Sequence, residues 1–553
     1  MKKVWKAGKL GLLALCIGAM GFVGSAFTNS PYFEISKNLD IFTALFKELN
    51  MYYVDDTEPG KLMKTAIDAM LESLDPYTVY IPESEIEDFN FQRTGQYGGI
   101  GALIRKQDDY VIISEPYLDF PAQKAGLEAG DMLLEIDGKS VKGKNTSEVS
   151  EVLKGEPGTI VEVKIKKPIT EEVKTIEIKR SEIQVATIPY YGMVDENIGY
   201  IRLRSFTETA TRDVKDAWMD LKDKHELKGL VLDLRSNPGG LLREAINMVN
   251  LFVPKGTDVV STKGKVREWD KTYKTLNQPV DTEIPLTVLI NSSSASASEI
   301  VAGTLQDLDR AVVVGQRSFG KGLVQQPRRL SYGSQLKVTI AKYYTPSGRC
   351  IQAINYAERD EDGSIAKIPD SLRTEFKTSN GRSVFDGGGI DPDIEVEQER
   401  APDILVSLAS KSLIFDYATI YAHMNKDIQE PMKFELSEQD FEDFKNFLAD
   451  KEYAYETESE KALKRFKKKA EQENYLEGID DVYASLETAL IANKSDDLTR
   501  YKDHISTYLE SEICARYYYQ KGRLAAGLKD DPDLAAALNI LKDSADYQSV
   551  LNP

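Results

Sequence analysis

The stretch that decides the reading of this chain is Leu286-Thr287-Val288-Leu289-Ile290-Asn291-Ser292-Ser293-Ser294-Ala295-Ser296-Ala297-Ser298-Glu299, an apolar strand followed by a run of small hydroxyl and alanine residues. Apolar periodicity from Ile300 to Leu308 predicts a helix after it, and Ala311 to Val314 a second strand. That strand leads into Gly315-Gln316-Arg317-Ser318-Phe319-Gly320-Lys321-Gly322-Leu323-Val324-Gln325. The first segment puts several serines at a strand-to-helix junction, where a hydroxyl stands near the unpaired N–H groups of a helix start. The second holds one lysine bracketed by glycines, which keep bulk away from it. A nucleophile, an oxyanion site and a base therefore fall within one local unit.

Composition narrows the chemistry. With 553 residues, 41% of them hydrophobic, the chain has enough material for more than one domain. A formal charge of −19 leaves no basic field to replace condensed counterions, which argues against general nucleic-acid binding. Cys16, Cys350 and Cys514 do not make a disulfide framework. Histidine is equally scarce: His225 sits in a charged turn, and His423 and His504 lie in a helical C-terminal region, all read as surface or helix-packing residues. A Ser-His-Asp triad or a histidine-rich zinc site is disfavoured, so an activated serine needs a different base.

At the N-terminus, Lys2, Lys3, Lys6 and Lys9 precede an apolar run from Leu10 to Val23 and the small residues Gly24-Ser25-Ala26. Residues 1–26 read as a secretory signal cleaved after Ala26, with an uncleaved membrane anchor as the alternative. Either places the catalytic region outside the cytoplasmic membrane, in the bacterial periplasm or cell envelope.

Residues 27–96 read as a helical domain: Ile35, Leu39, Phe42, Leu45, Phe46 and Leu49 recur at helical spacing, as do Leu62, Ala66, Ile67, Met70, Leu71 and Leu74. Asp75-Pro76-Tyr77-Thr78 ends the pattern. Residues 97–182 change to short strands and turns. Gly98-Gly99-Ile100-Gly101-Ala102, the Ala125-Gly126-Leu127 to Gly138 segment, a helix over 147–153 and late strands over 160–165 and 175–178 together resemble a PDZ domain. That resemblance implies capture of an extended chain end, with Gly98, Gly99, Ile100, Gly101 and Ala102 as the candidate carboxylate loop.

From residue 183 to 400 the pattern is again α/β. Gly229 to Leu234 is an almost wholly apolar strand, which predicts burial on both faces. It runs into Arg235-Ser236-Asn237-Pro238-Gly239-Gly240, whose glycine pair suits close approach of a ligand to backbone N–H groups. Residues 355–385 are charged and turn-rich and are expected to form an external excursion. Residues 401–553 carry amphipathic helices without chemical spacing and read as an accessory region: a lid, a brace, or a surface for self-association or a regulatory partner.

Ser292, Ser293, Ser294, Ser296 and Ser298 all lie between strand and helix, and spacing alone does not choose among them. Ser294 or Ser296 is expected to cap the helix, with Glu299 three residues after Ser296 in capping-box spacing. Lys321, held in a poorly hydrated cleft, would have its pKa lowered and serve as the base, with Gln325 orienting its amine without adding charge.

The motifs in combination resemble the C-terminal processing peptidases, or tail-specific proteases: Ser294 to Glu299, Gly320-Lys321-Gly322 with Gln325, Asn237 to Gly240, Leu74 to Thr78, and Tyr344 to Gly348. The resemblance covers about residues 35–400. It implies a crotonase/Clp protease-like α/β core with an inserted PDZ domain, an N-terminal helical domain and a C-terminal helical extension. It also implies Ser296 as nucleophile, Lys321 as base, and an oxyanion hole from Gly239 or Gly240 with Ala297, requiring no metal or organic cofactor. Protein or peptide substrates with apolar C-terminal tails are then expected. A non-enzymatic PDZ scaffold leaves the serine cluster and Lys321 without a reason, and a Ser/Lys amidase leaves the PDZ-like unit without one.

Overall fold

Strands built only from apolar residues need cover on both faces, and the central sheet of this protein shows where that cover comes from. The computed structural model describes residues 31–356, 365, 367–475, 478–494 and 496–552; the basic and apolar leader read over residues 1–26 lies outside them. By internal contacts the chain divides into residues 1–80 and 81–553.

In the first unit, helix α1 spans Pro31–Tyr52 and α2 spans Pro59–Glu72. Pro59 opens α2, where its missing N–H would have had no intrahelical partner. The stop after α2 is an Asx turn: Asp75 Oδ1 accepts the N–H groups of Tyr77 and Thr78 at 2.8 and 2.7 Å.

The second unit begins with the PDZ region. Its strands are β1 (Gln96–Gly99), β2 (Ala102–Gln107), β3 (Tyr110–Pro116), β4 (Met132–Ile136), β5 (Ile160–Lys166), β6 (Val173–Lys179) and β7 (Ser181–Gln184), with helix α3 over Thr146–Leu153. Strands β2 to β6 form an antiparallel sheet in that order, and β1 pairs with β7. Alternation on β5 sends Val161, Val163 and Ile165 inward to meet Val149 and Leu153 of α3. A capping box starts α3, with Asn145 Oδ1 accepting from Glu148 N–H at 2.9 Å and Glu148 Oε2 from Asn145 N–H at 2.9 Å.

The α/β region that follows adds β8 (Tyr190–Met193), β9 (Ile198–Arg202), α4 (Ala210–Lys224), β10 (Gly229–Asp233), α5 (Leu242–Val249), β11 (Asp258–Gly264), β12 (Leu286–Ile290), α6 (Ala297–Asp307), β13 (Val312–Gly315), β14 (Leu323–Arg329), β15 (Gln335–Tyr344) and β16 (Ile394–Glu395). The central sheet runs β8-β9-β10-β12-β13-β16 and is parallel except for β8 against β9. A second, antiparallel sheet contains β11, β15 and β14. One face of the central sheet, carrying Leu230, Leu232, Val288 and Val313, packs on α4, α5 and α6 around the buried Trp218–Phe252 stack.

The opposite face carries Tyr200, Val231, Leu289, Val312 and Val314, and it is covered from the far C-terminus. Helix α7 spans Leu413–Met424, α8 Lys502–Ala526, α9 Pro532–Lys542 and α10 Ser544–Leu551. Leu534, Ala537 and Ile540 of α9 and Tyr547 and Leu551 of α10 pack on those strands. Each large aliphatic side chain so buried contributes about 1.5–3 kcal/mol. Tyr547 Oη also accepts the Leu286 N–H at 3.0 Å, at the start of β12.

Helix α7 meets the PDZ sheet instead, and α8 meets both, its Ala525 joining the cluster on the central sheet. The Arg105 guanidinium of β2 lies 3.6 Å from the Phe415 ring centroid, and Arg523 pairs with Glu115 of β3 and, at 2.9 Å, with Glu512.

The described residues of 355–385 are mostly exposed, as expected of an external excursion. Part of them folds as a hairpin, Glu375–Lys377 with Ser383–Phe385, and Arg382 is buried between Asp309, at 2.6 Å, and Asp393. That cluster anchors the stretch, while the Lys377–Glu375 pair of the hairpin stays exposed.

Candidate active site

Strand β10 delivers the Asn237-Pro238-Gly239-Gly240 turn to the strand-to-helix junction after β12. Buried Asn237 organises it: its Nδ2 donates to Leu203 O at 3.0 Å, its Oδ1 accepts the Gly239 N–H at 2.9 Å, and its backbone oxygen accepts the Ala295 N–H at 3.0 Å. Gly239 has φ +99°, and a Cβ there would stand 2.7 Å from Ala295 O and 2.8 Å from both Ala297 N and Ser296 Cβ. A Cβ on Gly240 would stand 2.4 Å from Phe206 O. The glycines are therefore required because two backbones touch. Since Asn237 occupies the Gly239 N–H, the donors that no hydrogen bond among the described residues uses are those of Gly240 and Ala297.

The five serines separate by environment. Ser294 is buried, donates to Leu234 O at 2.8 Å and accepts the Asn291 N–H at 2.9 Å. Ser298 is buried and donates to Asn237 O at 2.9 Å. Ser292 and Ser293 are exposed on the turn. Ser296 is half-buried at the start of α6 with φ +56° and ψ −112°, a strained backbone for a residue with a Cβ. It is the serine that faces Gly239.

Glu299 does more than its place in a capping box suggests. Fully buried, it accepts the N–H of Ser296 at 2.7 Å and of Lys321 at 2.8 Å through Oε2, and the Gly320 N–H at 2.7 Å and the Ser318 hydroxyl at 2.6 Å through Oε1. Burial pushes its carboxyl above the usual range, against the pull of these four donors toward the charged form. One side chain thus joins the serine turn to the lysine turn.

Gly320 and Gly322 are packing requirements as well. A Cβ on Gly320 would stand 2.4 Å from Ala353 Cβ, and one on Gly322 2.8 Å from Gln352 N. The Gly322 N–H donates to Gln352 Oε1 at 2.7 Å, fixing the half-buried Lys321 between them. Tyr343, on β15, places its hydroxyl 2.6 Å from Lys321 O and 3.1 Å from Ser296 O. Gln325, expected to orient the lysine amine, donates from Nε2 to Thr339 Oγ1 at 3.2 Å.

Tyr343, Asn237 and the reach of Glu299 to Lys321 carried no signal beyond the motifs that contain them. The Thr345 to Arg349 segment is explained by the far end of α6: buried Arg349 pairs with Asp307 at 2.8 Å, and Asp307 Oδ2 accepts the Ser347 N–H at 2.9 Å.

In the PDZ region, Gly98 to Ala102 joins β1 to β2, an edge strand beside α3. Gly98 O, Ile100 O and Gly101 O accept the N–H groups of Gly155, Ala122 and Tyr117 at 3.1, 2.7 and 2.9 Å. Ile100 belongs to the domain core. Among the described residues no group of three or more His, Cys, Asp and Glu side chains is placed to hold a metal ion.

Comparison with known proteins agrees with this architecture. The profile of Peptidase family S41 matches residues 197–361, that of a PDZ domain residues 112–167, and that of a probable PDZ-protease C-terminal helical domain residues 404–541. Fold and site define a serine peptidase with a PDZ domain. A carboxy-terminal-processing protease of Bartonella bacilliformis is 39% identical over 321 residues, 58% of this chain and 73% of that protein. A probable CtpA-like serine protease of Staphylococcus haemolyticus is 39% identical over 308 residues, 55% of this chain and 61% of that protein's length. Among solved structures, the photosystem II D1 C-terminal processing protease is 27% identical, with 65% of this chain and 93% of that chain covered and a TM-score of 0.35. The chain belongs to peptidase family S41, as a carboxy-terminal-processing serine protease.

Proposed function

We propose that this protease cuts envelope or secreted proteins near their C-termini after its PDZ domain captures an apolar tail. The observation that carries the reading is the contact of Gly239 with Ser296 and Ala297, together with the Glu299 carboxylate that ties Ser296 to Lys321. In this mechanism neutral Lys321 takes the Ser296 hydroxyl proton as the oxygen attacks the scissile carbonyl. The N–H groups of Gly240 and Ala297 hold the oxyanion, and Gly239 supplies the close approach. The lysine ammonium then protonates the leaving amine, giving an acyl-enzyme, and a water deprotonated by Lys321 releases it. Gln325 steers the lysine amine. Losing one oxyanion donor typically costs about 3–4 kcal/mol in the transition state.

For tail capture, the edge strand β2 beside α3 offers a place for an extended chain to add as a strand, with its carboxylate at the Gly98 to Ala102 loop. A crotonase/Clp-type core is supported by β9, β10, β12 and β13 running parallel with α4, α5 and α6 on one face. Work in the periplasm or envelope is supported by the basic and apolar leader, Lys2 to Val23.

The test is to purify Ser296→Ala and Lys321→Ala separately and incubate each with an unfolded protein ending in an apolar tail. Each is expected to lose at least about 10³-fold in kcat. Persistent cleavage by Ser296→Ala overturns the nucleophile, and wild-type turnover by Lys321→Ala overturns the base. Recovery of the native protein from the cytoplasmic fraction overturns the location.

A further inference from the structure

Three neighbouring strands of the central sheet feed the candidate site: β10 the glycine turn, β12 the serine turn and β13 the lysine turn. Strands β10 and β13 are not hydrogen-bonded to each other, since β12 lies between them, so their ends stand about 10 Å apart. A separate element spans that gap. At the start of α9, Arg235 Nη1 donates to Asp531 Oδ1 at 2.8 Å and to Asp533 Oδ2 at 2.9 Å. The other oxygen of Asp533 accepts Gln316 Nε2 at 2.9 Å. Arg235 lies five residues before Gly240, and Gln316 five before Lys321.

The contacts are built rather than incidental. The side chains of Arg235, Asp531 and Asp533 are 11%, 11% and 10% exposed, and Asp233, which also grips Arg235 at 2.7 Å, is fully buried. Gln316 has its second amide bond to Val396 O at 3.0 Å. Between the two ends, Asn291 Oδ1 accepts the Ser236 N–H at 2.9 Å and ties the serine turn to the glycine turn. A buried ion-pair network adds little net stability, because desolvation offsets its Coulomb gain, but it tolerates few geometries. Here the geometry it specifies is the separation of two catalytic turns.

We infer that Asp531 and Asp533 are positioning residues for the reaction, with helix α9 of the C-terminal extension setting the spacing of the oxyanion turn and the lysine turn across the sheet. This rests on the roles proposed above for Gly240, Ala297 and Lys321. Loosening either end displaces donors from the developing oxyanion or the base from the hydroxyl, and a displacement of about 1 Å costs about 10²-fold. Tail binding happens elsewhere, so kcat falls while KM holds.

The experiment uses the full chain carrying Asp531→Asn with Asp533→Asn. Asparagine keeps the shape and the helix cap that Asp531 gives Leu534 N–H. Asp543→Ala is the comparison: Asp543 caps α10 through Ala545 and Asp546 and touches neither turn, so it lowers stability without reaching the site. The double variant is expected to lose about 10- to 100-fold in kcat on a tail-bearing polypeptide. KM should stay within about twofold, and labelling of the active serine by a fluorophosphonate should slow in parallel. Asp543→Ala should melt earlier and keep its kcat. An unchanged kcat in the folded double variant overturns the inference, and so does an equal fall in Asp543→Ala, which would make the effect one of general stability. Should the double variant not fold, Asp533→Asn alone reads the same quantity. Cleavage by Ser296→Ala, run alongside, would overturn the underlying site assignment independently of the aspartates.

Discussion

Glu299 accepts the backbone N–H of Lys321 at 2.8 Å, a contact between the first turn of α6 and a turn 22 residues further along the chain. The same oxygen holds the Ser296 N–H, so the spacing between the proposed nucleophile and its base is referred to one buried carboxylate.

Replacing that carboxylate with an amide, Glu299→Gln, turns an NH2 donor toward groups that are themselves donors. Each buried donor left unpaired costs about 1–3 kcal/mol, and kcat should fall about 10²-fold. Because the folded state raises this carboxyl above the ordinary range, the stability it contributes is present below the unfolded pKa and is lost as pH rises through the folded value. Catalysis runs the other way, since a protonated carboxyl offers an O–H where a donor already sits. Steady-state kinetics against pH should show, below the limb that protonation of Lys321 sets in both proteins, a further fall in wild-type kcat that Glu299→Gln lacks.

Tyr343→Phe removes the hydroxyl that lies against Lys321 O and Ser296 O. The ring stays and its burial is kept, so the effect isolates the hydrogen bond. Melting should reveal a loss of about 1–2 kcal/mol, and kcat should fall about tenfold as the two turns gain freedom. Equal kcat in the two proteins would remove Tyr343 from the positioning network.

Gly239→Ala brings a Cβ to 2.8 Å from Ser296 Cβ and demands φ +99° of an alanine. Strain of this kind costs about 1–3 kcal/mol, and the displaced serine turn should lower kcat by at least about 10²-fold. Fluorophosphonate labelling of the folded variant should be slow to the same degree.

Both described thiols should resist alkylation in the native protein. Burial pushes the Cys514 thiol up to about 12 and raises that of Cys350. Since only the thiolate reacts, Cys514 at pH 8 is reactive to roughly one part in 10⁴, and iodoacetamide labelling should rise steeply as pH rises. Unfolding in urea should restore ordinary rates at both positions, read by mass spectrometry.

Much of the site could be read from local patterns. The apolar strand from Leu286 to Ile290, the helix after it and the Gly-Lys-Gly turn each declare themselves through periodicity or through glycine, because their causes lie within a few residues. The choice of Ser296 needed either a family likeness or the packing itself, which buries the Ser294 and Ser298 hydroxyls against Leu234 O and Asn237 O. Whether Gly239 or Gly240 keeps a spare N–H also depended on tertiary contact, through the Asn237 side chain.

The C-terminal helices mark the sharper division. Amphipathic spacing from Asp531 to Leu551 determined that these helices bury a face, since an apolar stripe must leave water whatever it meets. Which face it meets was decided only by the fold, which lays Leu534, Ala537, Ile540 and Tyr547 on the uncovered side of the central sheet. The pairing of Arg235 and Gln316 with Asp533 is of the same kind, joining residues hundreds of positions apart in the chain. Sequence records what a side chain requires, a partner charge or an apolar surface. Only the folded chain, having met the entropy cost of closing that loop, settles which partner supplies it.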